Sequence, residues 1–188
     1  MTMLLTTNQM PIGGLVLIIL VVLAIIVGNI VYNVGKQRNK QKLKTKSKYD
    51  FVSNLFQREI SVREEDVSEE YVKKCIDFFQ NMNEKTVNSL VKQANDYYQE
   101  ISAILDLSKL KMPQNPEGRE ILQWIYPKIM WIGNDEGQPE KMEFVVECGC
   151  EWESDHGLEI DVYDGKILFV GSYDGGIEDR KEEYLRKM

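Results

Sequence analysis

Histidine occurs once in this chain, at His156, and cysteine three times, at Cys75, Cys148 and Cys150. An odd number of thiols cannot close a complete disulfide framework, so the cysteines read as free thiols of a reducing compartment. The glycine patterns that cradle phosphates are missing: neither G-x-x-x-x-G-K-[ST] nor G-x-G-x-x-G occurs, which removes the sequence basis for nucleotide sites of those kinds. No D-x-[DN]-x-[DN]-G loop is present either. Asp161, Asp164 and Asp174, although neighbours in sequence, therefore do not make an EF-hand calcium loop.

Charge is missing in one place. Residues 11–34 contain no charged side chain, and residues 15–27 are an unbroken aliphatic run. As a helix these residues would cover roughly 36 Å, enough to cross a hydrocarbon core of about 30 Å. The stretch predicts a single transmembrane helix after a short extracytoplasmic N-terminus, residues 1–10. A cleavable signal peptide would need basic residues before the run and a small-residue cleavage site after it; residues 1–10 hold no Lys or Arg. A basic linker, residues 35–49, follows with Lys36, Arg38, Lys40, Lys42, Lys44, Lys46 and Lys48 and no acid before Asp50. By the positive-inside rule this predicts a single-pass inner-membrane protein, N-terminus outside and C-terminal domain in the cytoplasm. The seven cations would meet anionic lipid head groups of the bilayer at about 1 kcal/mol each.

The rest of the chain has the opposite sign. From residue 49 onward 16 basic residues face 30 acidic ones, a net of −14. A domain with that balance has no phosphate-neutralising footprint, so a nucleic-acid partner is not expected. A charged protein partner would be basic.

Residues 50–188 have the size of one domain with a core, and their periodicity predicts an α+β fold: helices over about 50–126, an antiparallel sheet of about four strands over about 128–171, and a terminal helix over about 177–187. Phe51, Val52, Leu55 and Phe56 suggest a first short helix. Ser61-x-x-Glu64 and Asp66-x-x-Glu69 have the form of capping boxes. Val72, Cys75, Ile76, Phe79 and Met82 keep a helical period, and so do Val87, Leu90, Val91, Ala94, Tyr97 or Tyr98, Ile101, Ile104 and Leu105. Joined across 81–83, the two helices suggest a hairpin. Asn115-Pro116 has the form of a cap before a further short helix, with Pro127 ending it. The period then changes to two. Met142, Phe144, Val146, Cys148, Cys150 and Trp152 alternate with polar residues, Leu158, Ile160 and Val162 repeat the pattern, and Asp164-Gly165 is a two-residue hairpin turn leading to 166–170.

Two thiols and the only imidazole gather in Cys148-x-Cys150-x-Trp152-x3-His156-Gly157. A zinc reading takes Cys148, Cys150 and His156, with Asp155 as fourth ligand, but structural zinc knuckles use Cys-x2-Cys on a tight turn. Cys-x-Cys on a strand turns both sulfurs toward one face, here the core. A Cys–His nucleophile pair is the other chemical option, with His156 as base. The bland alternative makes both thiols core residues and 155–157 the bend between two strands.

The stretch from Cys150-Glu151-Trp152 through Asp155-His156-Gly157-Leu158 to Val170-Gly171-Ser172-Tyr173-Asp174 resembles a bacterial domain family of unknown function. Its members carry a Cys-x-Trp-x-x-Glu-His-Gly-Leu-x-Ile-like strand, loop and strand, and Asp155 here stands in the place of the glutamate. The resemblance implies an α+β domain similar to small immunity-type proteins found beside polymorphic toxins, with Trp152, Asp155, His156 and Gly157 as a shared corner of structure or binding. No catalytic residue and no cofactor come with it. The expectation is a non-enzymatic, membrane-anchored cytoplasmic protein-binding module of a bacterium; its sharper form is an immunity protein that neutralises by occlusion a toxin, either a basic effector or one acting at the membrane. A zinc-dependent regulator or thiol enzyme on Cys148, Cys150 and His156, or a scaffold of envelope or secretion machinery, are the alternatives.

Overall fold

Alternating β-branched and aromatic residues build the sheet, and two amphipathic helices cover one of its faces. The structure, a computed structural model, describes residues 46–133 and 140–188. Strand β1 is Phe51–Val52 and β2 is Glu59–Glu64; helices α1, Glu69–Gln80, and α2, Glu84–Ser102, follow. A 3-10 helix, Gly118–Trp124, leads into β3, Ile125–Ile132. Then come β4, Glu143–Cys150, β5, Leu158–Tyr163, β6, Lys166–Gly171, and α3, Ile177–Arg186. Among the described residues the sheet has six strands in sequence order, β1 to β6. Every neighbouring pair is antiparallel except β2 and β3, which run parallel. A parallel pair requires a long crossover, and α1, α2 and the 3-10 helix supply it.

The sheet therefore corrects the expected one: it is mixed and six-stranded, where an antiparallel sheet of about four strands was predicted. The difference lies at the N-terminal side. Residues 51–56 do not form a helix, and Ser61-x-x-Glu64 caps nothing, because both lie in or beside β1 and β2. Ile60 and Val62 of β2 are fully buried and alternate with Ser61 and Arg63, a two-residue period too short to stand out between charged neighbours. The cap of α1 is Ser68, whose Oγ accepts from Tyr71 N at 3.2 Å; Asp66 instead takes a positive φ of 53° in the turn before it.

A second correction concerns the membrane. Among the described residues no helix is long and apolar enough to cross one, which overturns the predicted single transmembrane helix and the inner-membrane, N-terminus-outside placement as features of the described fold. Helix α2, at 19 residues, has the length, but it carries Glu84, Lys85, Lys92, Asp96 and Glu100 on its open side. The predicted span 11–34, residues 1–10 and the cations Lys36, Arg38, Lys40, Lys42 and Lys44 lie outside the described residues. Of the remaining two, Lys46 is exposed, and Lys48 lies 3.3 Å from Glu69 and over the ring of Tyr49.

The helical stripes were legible except at the end of the second, where Ile104 and Leu105 lie past the last residue of α2 and are exposed. Val72, Cys75 and Phe79 of α1 and Val87, Leu90, Val91, Ala94, Tyr97 and Tyr98 of α2 are buried. They meet the inner sheet face, formed by Ile60, Val62, Met130, Ile132, Phe144, Val146, Ile160 and Val162. Phe79 contacts Phe144 edge to face, and Trp152 is held edge to face by Tyr97 and Tyr98. Strand β3 begins earlier than expected, at Ile125, and keeps Pro127 because the ladder slips between Pro127 and Ile129, a bulge that spares proline a ladder hydrogen bond. Asp164 and Gly165 make the predicted hairpin turn, both with positive φ, 49° and 72°, as a type I′ turn requires.

On the outer face, β5 is dry although acids alternate with aliphatics along it. Glu159, Asp161 and Tyr163 of β5 are fully buried, as are Leu158, Ile160 and Val162. Helix α3 covers them. Its Arg180 bonds Glu159 Oε1 at 2.6 Å and Asp161 Oδ2, reaches Asp174 at 2.7 Å, and lies 3.5 Å above the ring of Phe169. The next residue, Lys181, is also buried and meets Glu143 at 2.9 Å and Glu178 at 2.7 Å. Burial and the neighbouring Glu159 carboxylate push the Asp161 carboxyl up to about 6, against the pull of Arg180.

Removing one member of a buried ion pair leaves its partner desolvated. Arg180→Ala is expected to lose about 3–5 kcal/mol of stability in urea unfolding, with the near-neutral surface variant Lys92→Ala as reference. The folded protein holds the Asp161 proton more tightly than the unfolded chain, so this group's contribution is full below pH 3.8 and falls as pH rises through about 6. Measured from pH 4 to pH 7, the wild type should lose on the order of 3 kcal/mol relative to Asp161→Asn. A stability difference that does not change with pH would remove the assignment.

Candidate functional site: an acidic cleft between a helix and a sheet edge

Leaving β4, the chain must turn back sharply to enter β5, and one glutamate organises the turn. Glu153 accepts from three successive backbone N–H groups: Asp155 at 2.9 Å, His156 at 2.7 Å and Gly157 at 3.1 Å. Its Oε2 also lies 3.2 Å from His156 Nδ1. Burial works against the charge of Glu153, but these N–H groups together with His156 outweigh it and hold the carboxyl below its ordinary value. Gly157 closes the turn at φ 75°, where a Cβ would strike the carbonyl oxygen of Cys148; only glycine fits there. Tyr97 Oη donates to Gly157 O at 3.3 Å and ties the corner to α2.

The corner forms one wall of an open cleft of about 520 Å³. Gln93, Asp96, Tyr97, Glu100 and Ile101 line it from α2, one face of the helix at three- and four-residue spacing. The opposite wall is the end of β6, Phe169 to Gly171, with Ser172 after it. Exposed Asp96 and Glu100 thus flank a space whose apolar lining includes Ile101 and Val170, with the largely buried Glu153 carboxylate behind it. Asp96 also meets Lys92 at 2.6 Å, in a bridge with both side chains more than half exposed, and such bridges hold a carboxylate only weakly. Burial pushes the Tyr97 hydroxyl up to about 12, so it stays a protonated hydrogen-bond donor.

The four residues expected to form a binding corner divide. His156 is in the cleft, with its side chain 72 % exposed. Asp155 is exposed beside it, its carboxylate bonded to Ser154 Oγ. Trp152 and Gly157 are buried beneath, where they shape the wall from behind. The zinc and thiol alternatives find no geometry: Cys148 and Cys150 face the core, with Sγ atoms 3.5 Å from Val146 O and 3.4 Å from Glu153 O. Burial pushes the thiols of Cys75 and Cys150 up to about 12 and that of Cys148 well above its ordinary value. Thiols held so firmly protonated are poor nucleophiles and poor ligands. Among the described residues no group of three His, Cys, Asp or Glu side chains is placed to hold a metal ion.

Residues 27–177 match the family described as Domain of unknown function (DUF6985). The chain belongs to that family. Neither a curated protein nor a solved structure matches it. The DUF6985 match takes in most of the fold and the whole cleft, where the resemblance read from the sequence ran only from Cys150 to Asp174.

Within this DUF6985 domain, neither Glu153 nor Asp96 nor Glu100 was singled out from the sequence. For Glu153 a signal existed, since an acid three or four residues before a turn glycine can collect the N–H groups of the bend, as Asx turns do. Asp96 and Glu100 carried none, because their role depends on β6 lying opposite. Glu153→Ala leaves three N–H groups without an acceptor and should lower stability by about 1–3 kcal/mol. His156→Ala should stay within about 0.5 kcal/mol of wild type. Because the folded Glu153 carboxyl titrates below its unfolded value, its contribution is present at neutral pH and lost as pH falls below the ordinary carboxylate range; thermal unfolding of Glu153→Ala and wild type should converge in acid.

Proposed function

We propose that this domain is a protein-binding module whose cleft receives a Lys or Arg side chain from a basic partner protein. In its specific form it is an immunity protein of a bacterium that neutralises a basic toxin by covering the toxin's working surface. The observation that carries the reading is the pair of exposed acids, Asp96 and Glu100, beside the apolar lining of Ile101 and Val170, with the Glu153 carboxylate behind them. A long cationic side chain has both parts, an apolar stem and a charged head.

The net charge of −14 from residue 49 onward supports the reading a second way. A field of one sign raises the association rate with a partner of the other sign more than it raises final affinity. Carboxylates at an exposed rim then act mainly on encounter, and the buried centre of the interface sets the lifetime.

Co-expression with each toxin encoded beside the gene is the test. Protection is expected from the wild type and is expected to fail, with binding weakened about 100-fold, in the double variant Asp96→Lys, Glu100→Lys. Both positions are exposed, so the fold should tolerate the change. If the wild type protects against no neighbouring toxin, the immunity form is wrong. If a partner is found and the double variant binds it equally well, the cleft is not the site.

A further inference from the structure

We propose that the partner segment enters as an added strand: an extended basic peptide pairs with the open edge of β6 and sets one cationic side chain into the acidic cleft. This rests on the reading of the cleft as a site for a basic partner and adds its geometry. Strand β6 pairs with β5 on one side and, among the described residues, with no strand on the other. An edge strand presents a row of backbone donors and acceptors, and proteins usually blunt it with proline, charge or a covering element. In Lys-Ile-Leu-Phe-Val-Gly, β6 has a single lysine at its first position and no proline; its ladder slips once at Leu168, and Phe169 to Gly171 beyond it are in regular register with β5. The last three residues of β6 are themselves a wall of the cleft, so edge and cleft are one continuous feature.

The geometry selects the occupant. Side chains of an added strand point alternately to the two faces of the sheet, and on the α2 side they meet Tyr97, Ile101 and the carboxylates of Asp96 and Glu100. Main-chain hydrogen bonds then supply affinity and the pocket supplies selection, the division of labour known for strand addition. Glu100 carries no ion pair among the described residues, so it meets an incoming cation without losing a partner. A second copy of this chain is a poor occupant: two β6 edges side by side would bring each acidic rim toward the other.

The test uses the full 188-residue protein and fluorescein-labelled octapeptides, read by anisotropy at low and at physiological salt. One alternates Lys and Val, a second alternates Glu and Val, and a third is the Lys peptide with alternate backbone amides N-methylated, so that one edge cannot donate. The Lys peptide should bind, the Glu peptide should not, and N-methylation should weaken binding about tenfold, the effect of about 1.4 kcal/mol. Glu100→Lys should weaken the Lys peptide by a similar factor, and β6 amides should gain protection from hydrogen exchange on binding. Equal binding of the N-methylated and parent peptides would overturn strand addition while leaving the basic-partner reading intact. Binding of neither would overturn strand addition, and the co-expression assay would still decide the reading on which it rests. Dimers in sedimentation that the Lys peptide does not disperse would give the edge to a second copy and also overturn it.

Discussion

Glu143, Glu159 and Asp161 lie out of water on the outer face of the sheet, and the described fold depends on two cations of α3 to make that tolerable. Isolated carboxylates in such a place would cost several kcal/mol each. Arg180 and Lys181 are adjacent in sequence, yet they serve different strands: Arg180 spans the two acids of β5, and Lys181 reaches Glu143 on β4. The arrangement is less a source of stability than a condition for it, since apolar residues of similar volume would pack there without the desolvation cost. Its effect is register. A helix bound through two fixed charges cannot slide along the sheet, and Phe169, under Arg180, is fixed with it.

Fixing Phe169 matters on the other side of the strand. Phe169 is also among the residues lining the cleft between α2 and β6, so the outer-face ion cluster and the cleft share a residue. The Glu153 corner forms the remaining wall, and it is rigid for a local reason: three backbone donors converge on one carboxylate. The site is therefore held on two sides by charge and on the third by α2, whose buried stripe anchors the helix while Asp96 and Glu100 stay in solvent.

What was legible in the sequence follows from how local its cause is. The stripes of α1 and α2, the alternation of β4 and the Asp164-Gly165 turn each need only near neighbours, and each was readable. Strands β1 and β2 were not, because Ile60 and Val62 are two short signals among charges and gain meaning only from β3 alongside. The burial of Glu159 and Asp161 was invisible for a related reason. Acids alternating with aliphatics spell a solvated face until a distant helix arrives with the matching cations. Around the cleft, motif spacing drew the eye to His156, which lines it, and to Gly157, buried behind it, whereas Asp96 and Glu100 sit in a helical pattern whose polar side had no evident use.

The family match ends at residue 177, the first residue of α3. A fragment cut at that border would keep every strand and lose Arg180 and Lys181 together. Its sheet would expose Tyr163 and Phe169 and leave three acids without counter-ions, so it would behave as a sticky, partly open body. Boundaries drawn by similarity and boundaries drawn by charge neutrality differ here by a single short helix, and the second kind decides where a shortened version of this protein can safely stop.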